Sequence, residues 1–229
     1  MAKSKKIRPR ISEGEAILDT PEFTMEEYSE RMKKSLGSEY RSIVKHIIKV
    51  IDPPEDAAIL EVGPGPGWIG IWLAKERLDV RVDGLEPSAD MQRVAIKNAK
   101  DEGVSERVNY ITGYVENMEM IPDQKYDLVF SNDSLHHWEN PLKGFEEISR
   151  VLKPDGKVYI QDERRDLGLR AKFVVHVLGR LIAGNFWKYW KSSIDASYTP
   201  QEVQQFLEQT DISNWFVNTN FLGISIETK

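Results

Sequence analysis

The chain has 229 residues, a net charge of −6 and no cysteine. Its length suits one domain with a good-sized core. The lack of cysteine excludes disulfides, thiolate metal sites and a cysteine nucleophile, and the acidic balance argues against a general nucleic-acid binder, so no DNA partner is expected. Residues 1–22 carry Lys3, Lys5, Lys6, Arg8 and Arg10 without apolar anchors and read as a flexible basic tail ahead of a single domain over 23–229. No run approaches the eighteen apolar residues of a spanning helix, and the N-terminus lacks the apolar stretch of a signal peptide, so the protein reads as cytoplasmic.

Residues 24–51 carry helical spacing and form a cap over 23–52. Thr24 with Glu27 makes a capping pattern, and Tyr40, Ile43, Val44, Ile47, Ile48 and Ile51 make an apolar stripe. Gly37 predicts a break into two helices, and Asp52-Pro53-Pro54 a stop. Over 53–163, short apolar runs at 58–62, 80–86, 108–112, 126–131 and 157–161 predict five strands. Helices are predicted after position 67, at 90–101 and at 142–152, with a turn at Lys153-Pro154-Asp155-Gly156. This alternation predicts an α/β doubly wound parallel sheet. Residues 164–190 read as one long basic helix within an insertion spanning 164–198. The segment 199–229 reads as a closing helix and two strands joined too tightly to be parallel.

The first strand leads into a glycine turn, E-V-G-P-G-P-G-W, with Glu61 two residues before Gly63. A dinucleotide fingerprint would need glycine at position 68, where Trp68 stands. A carboxylate just before a helix start does nothing for a pyrophosphate and suits a cationic ligand. This stretch resembles motif I of the class I S-adenosylmethionine-dependent methyltransferases, small-molecule type, similar to the ubiquinone and menaquinone methyltransferases. The resemblance implies a Rossmann-like, seven-stranded, mostly parallel sheet with an antiparallel terminal hairpin and helices on both faces. It also implies S-adenosylmethionine as cofactor, S-adenosylhomocysteine as product and no metal.

It places the cofactor on Glu61, Gly63, Pro64, Gly65 and Gly67. It adds Glu86, Pro87, Ser88 and Met91 after the second strand, and Ser131, Asn132 and His136 after the fourth. Tyr114, Val115 and Glu116 follow the third strand, where related families often have an aspartate. His136 or His137 could act as a general base, or the pair could orient the loop; Asp162, next to Glu163, could be a base or bind the substrate. No H-x-x-E-H or H-E-x-x-H surrounds the histidines, so no metal is expected.

The acceptor should be covered by the N-terminal helices and the insertion. Tyr28, Phe173, His176, Trp187 and Trp190, with Phe186, are the candidates for a small apolar or aromatic acceptor methylated by in-line displacement. The basic insertion also offers a peripheral membrane contact through 164–191, or a homodimer surface. Alternatives are a noncatalytic cofactor-binding scaffold, an RNA methyltransferase recruited through the basic tail, and an NAD-dependent oxidoreductase.

Overall fold

In the computed structural model, residues 9–11, 24–183 and 187–229 are described. Helix α1 (Met25–His46) opens with the Thr24–Glu27 capping box. It runs unbroken through Gly37 into a π turn, Ile47–Ile51, that stops at Asp52 in left-handed backbone. The predicted break at Gly37 does not occur. A helical glycine costs about 1 kcal/mol against alanine, and here Gly37 is buried beside the Trp72 ring, so tertiary packing overrides the propensity.

Strand β1 (Ala58–Val62), α2 (Trp68–Glu76), β2 (Arg81–Glu86), α3 (Ala89–Asp101), β3 (Val108–Thr112) and β4 (Tyr126–Asn132) follow as the sequence predicts. A 3₁₀ turn (Leu135–His137), α4 (Pro141–Val151) and β5 (Leu152–Glu163) complete the core. The predicted Lys153–Gly156 turn is instead taken up inside β5. Pairing jumps from Tyr126–Leu152 to Leu128–Lys157, and Lys153 reaches across to Asp127.

The insertion is not one helix. Residues 164–168 are irregular, with Arg164 paired to Asp166 at 2.6 Å and Arg165 to Glu202. Then come α5 (Leu169–Phe173), a π turn (Val174–Leu178), α6 (Gly179–Ala183) and α7 (Trp187–Ala196). Phe186 lies outside the described residues. Helix α8 (Pro200–Leu207) and strands β6 (Trp215–Thr219) and β7 (Gly223–Thr228) close the chain.

The seven strands form one sheet in the order β3-β2-β1-β4-β5-β7-β6. Pairs from β3 to β5 are parallel, and β7 is antiparallel to both β5 and β6. Alternation along the strands feeds two cores. Leu60, Val62, Val129 and Ile160 pack with Phe145 of α4 and Val203 of α8. On the other face, Ile59, Leu128 and Phe130 pack with Val44 of α1, Ile71 of α2 and Ala99 of α3. Strand order reverses between β1 and β4, so the crevice at their carboxyl ends is where a ligand is expected.

Gly37→Ala should raise stability by about 0.5–1 kcal/mol, because a Cβ there meets Trp72 at ordinary contact distance, 3.5 Å. A higher urea midpoint at unchanged slope is the expected result. A lower midpoint would mean that the helix is not continuous at this point.

Candidate active site

The crevice begins at the turn after β1. Gly63, Gly65 and Gly67 all have positive φ, the region glycine enters without steric cost. A Cβ on Gly63 would strike Ser134 Oγ at 2.1 Å, so the turn presses against the loop after β4. A Cβ on Gly65 would meet nothing within 4 Å, so the space above the turn is open.

Glu61 is buried, and its Oε2 accepts the Gly70 N–H at 3.0 Å. Gly70 is the third residue of α2, one of the positions whose N–H has no partner within the helix. A Cβ on Gly70 would stand 2.4 Å from that oxygen, so only glycine leaves the carboxylate room. Burial, and secondarily the nearby Glu86, push the Glu61 carboxyl up to about 8, against the opposing pull of the Gly70 hydrogen bond.

Glu86 ends β2 and is also buried. Its two oxygens accept the N–H groups of Gly65 and Ser88, each at 3.0 Å. Each oxygen keeps a further lone pair for a ligand hydroxyl. Ser88 caps α3 by accepting the Met91 N–H, and Met91 is buried. Pro87 is exposed.

The second half of the site lies at the ends of β4 and β5. Ser131 donates to the Val62 carbonyl at 2.8 Å and ties β4 to β1. Asp133 follows β4 with φ 51, an unusual backbone state for a residue with a side chain. It accepts from the Asn132 amide at 2.9 Å. Its carboxyl is pushed up to about 7, first by burial and then by Asp162 and Glu39. Asp162 is buried and accepts three N–H groups: the His136 backbone at 2.8 Å, His136 Nδ1 at 2.8 Å and the Glu163 backbone at 2.6 Å.

Glu163 sits beside this dyad and accepts from the Trp190 indole. Its carboxyl lies well above the usual range because of burial and the charge of Asp133. Two acceptor atoms, Glu163 Oε2 and Asn132 Oδ1, are fully buried with no hydrogen-bond partner among the described residues. His136, Asp162 and Glu163 have ligand-capable atoms within 4.8 Å of one another. Asp162 spends its oxygens on the three N–H groups above.

The remaining candidates fall into three groups. His137 is exposed, its ring centroid 4.1 Å from that of His136. After β3, Tyr114 is exposed, Val115 is buried in the α4-side core, and Glu116 accepts the N–H groups of Glu139 and Asn140 ahead of α4. In the insertion, Trp190 reaches Glu163, whereas Phe173 and His176 are exposed and Trp187 donates to the Val175 carbonyl. Tyr28 neighbours Tyr40, which feels the charge of Asp133.

Sequence reasoning gave no role to Gly70 or to the buried Ser29 and Asn98. Asn98 donates to Ser29 Oγ and the Pro66 carbonyl, and Trp68 donates to Ser29, so α1 and α3 are bolted to the glycine turn. Of these, only Gly70 had a signal, a third-position glycine in a helix after a buried acid. Of the basic tail read over 1–22, residues 9–11 are described. Arg10 donates to the Ala196 and His136 carbonyls, both at 2.6 Å, and lies over the Tyr198 ring.

Comparison with known proteins is consistent with this geometry. A family profile described as "Methyltransferase domain" matches residues 60–160. An uncharacterized methyltransferase of Bacillus subtilis, YdaC, is 30% identical over 131 residues, covering 57% of this chain and 70% of the relative. A demethylmenaquinone methyltransferase of Bacteroides fragilis is 24% identical, covering 82% of this chain and 76% of its own. Among solved structures, a Methanococcus maripaludis protein assigned to the S-adenosyl-L-methionine-dependent methyltransferases superimposes with a TM-score of 0.72. It is 26% identical and covers 96% of both chains.

Gly70→Ala should weaken S-adenosylmethionine binding at least tenfold, because the new Cβ displaces the Glu61 carboxylate. Isothermal titration would read this, and undiminished affinity would dissociate Glu61 from the ligand. A cation over the turn favours the ionised form of Glu61. Affinity should therefore rise with pH and level off near its value of about 8. Glu61→Gln keeps an acceptor for Gly70 and should flatten that dependence.

Proposed function

The chain belongs to the S-adenosylmethionine-dependent methyltransferases, and we propose that it methylates a small acceptor presenting an N–H or O–H to a pocket of proton acceptors. When bound, the cofactor supplies an activated methyl group on a positively charged sulfur. The open turn at Gly65, the Glu86 oxygens and the side chain of Met91 fit such a ligand, with Glu61 adding negative charge beneath it. An acceptor of this kind would rest its apolar or aromatic body near Trp190 and Tyr28. The demethylmenaquinone and ubiquinone-biosynthesis methyltransferases among the relatives support a small-molecule acceptor.

The observation that carries the acceptor's polarity is the buried, unpartnered Asn132 Oδ1 beside the Asp133 carboxyl; Glu163, whose carboxyl is held well above the usual range, offers an oxygen or an O–H. An unsatisfied buried acceptor costs about 1–3 kcal/mol, and only a donor relieves it. In this reading Asp133 takes the proton that the acceptor's heteroatom must lose. The His136–Asp162 dyad holds the loop that carries Asp133. The deprotonated nucleophile is then aligned by the pocket walls, and the reaction needs no covalent intermediate.

The primary test is incubation with methyl-labelled S-adenosylmethionine and cell extract, followed by fractionation. Label in small-molecule or lipid fractions is expected; label only in RNA or protein would overturn the reading. With the acceptor in hand, kcat should fall as pH drops through about 7, because Asp133 is protonated below that value and cannot accept a proton. Asp133→Asn should lower kcat about 100-fold or more and abolish that limb. Persistence of the limb in Asp133→Asn, with its loss in His136→Gln, would move the base to His136.

A further inference from the structure

Within Leu169–Ala183, Ala171 and Val175 are buried against Leu167 and Ile194, and Gly179 is buried against Trp190. A Cβ on Gly179 would lie 2.7 Å from the Trp190 ring, so that approach is as close as a backbone allows. Four large apolar side chains face away. Leu169 is 80% exposed, Phe173 59%, Val177 44% and Leu181 78%. They recur every four residues. A regular helix would let that spacing drift around its axis, and the wider π turn at Val174–Leu178 counteracts the drift.

We infer that this stripe docks the protein on the surface of an anionic lipid bilayer. Four large exposed apolar side chains in one row exceed the scatter of single ones on a soluble surface. Charge identifies the partner. Residues 169–183 contain Arg170, Lys172 and Arg180 and no acid, and the nearest upstream acid, Asp166, is paired with Arg164. A symmetric second copy would bring these cations against their own images. A phosphate-bearing surface neutralises them while its acyl boundary receives the leucines and the phenylalanine, the recognition pattern of an interfacial helix.

The segment lies on the bilayer and does not enter it as a span. Its fifteen residues reach about 22 Å against a hydrocarbon core of about 30 Å. No helix among the described residues is long and apolar enough to cross.

The test is flotation of the full chain with vesicles of phosphatidylcholine, with and without phosphatidylglycerol. Recovery with the anionic vesicles is expected, falling with added salt and low on phosphatidylcholine alone. The double variant Leu169→Ser with Leu181→Ser should lower partitioning at least tenfold, and Arg170→Ala or Arg180→Ala about fivefold each. All four side chains are exposed, so cofactor affinity and circular dichroism should match wild type. The inference fails if wild type stays with the unbound fraction or if the variants float as wild type does. It also fails if sedimentation shows a dimer that the double variant dissolves. None of these outcomes depends on methyl transfer, so the inference and the proposed function stand or fall separately.

Discussion

One buried contact sets the geometry on which the rest of the site depends: the Glu61 carboxylate accepting the Gly70 N–H. It joins the last turn of β1 to the first turn of α2, the two elements that flank the glycine loop. A carboxylate at a helix start is favoured by the partial positive charge there. Burial works against it and raises its proton affinity. The balance leaves a group that is easily charged by an approaching cation and easily neutralised without one. The contact needs a helix residue with no side chain. The loop it braces is pinned again from outside by Ser29 and Asn98.

The sheet's reversal between β1 and β4 then decides what stands opposite that loop. Ser131 binds β4 to the end of β1, and Ser134 packs on Gly63 too closely to admit a Cβ. The chain must leave β4 sharply, and Asp133 makes the turn in left-handed backbone. Strain of this kind persists only where surrounding contacts over-determine it. Here those contacts are the Asp133 N–H to the Gln161 carbonyl and the His136 anchors on Asp162. The same turn places the Asp133 carboxyl beside Glu163 and Asp162. Burial first, and then the charge of neighbouring acids, raises the proton affinities of Asp133 and Glu163.

Elements governed by short-range rules were legible from sequence. The strands of the core, the Thr24 capping box and the antiparallel hairpin at the end follow from apolar alternation, local hydrogen bonding and connection length. The glycine turn after β1 carried a pattern in the residues themselves, an acid followed by three alternating glycines. What escaped was set by contacts between distant segments. Gly37 reads as a breaker until Trp72 is placed beside it. Lys153-Pro154-Asp155-Gly156 reads as a turn, and in the fold β4 pairs with Leu152 and Lys157 on either side of it, so the segment lies within β5. That one Glu116 oxygen also accepts the Glu139 and Asn140 N–H groups ahead of α4 carries no local signal.

Trp190 is the link between the insertion and the chemistry. One edge of its ring rests on Gly179 in the exposed helix, and its indole N–H reaches the Glu163 carboxyl. A second tie runs through Arg10, which bridges the carbonyls of Ala196 at the end of α7 and of His136 in the loop after β4. Trp190 thus ties the stripe-bearing helix to Glu163, and Arg10 ties the end of α7 to the loop after β4. Movement of α6 relative to the sheet would have to displace the Trp190 ring and with it a donor to Glu163. Removing that donor would raise the proton affinity of Glu163 further, since the Trp190 hydrogen bond favours its ionised form. The position of the insertion and the electrostatics of the pocket are, by this contact, one variable.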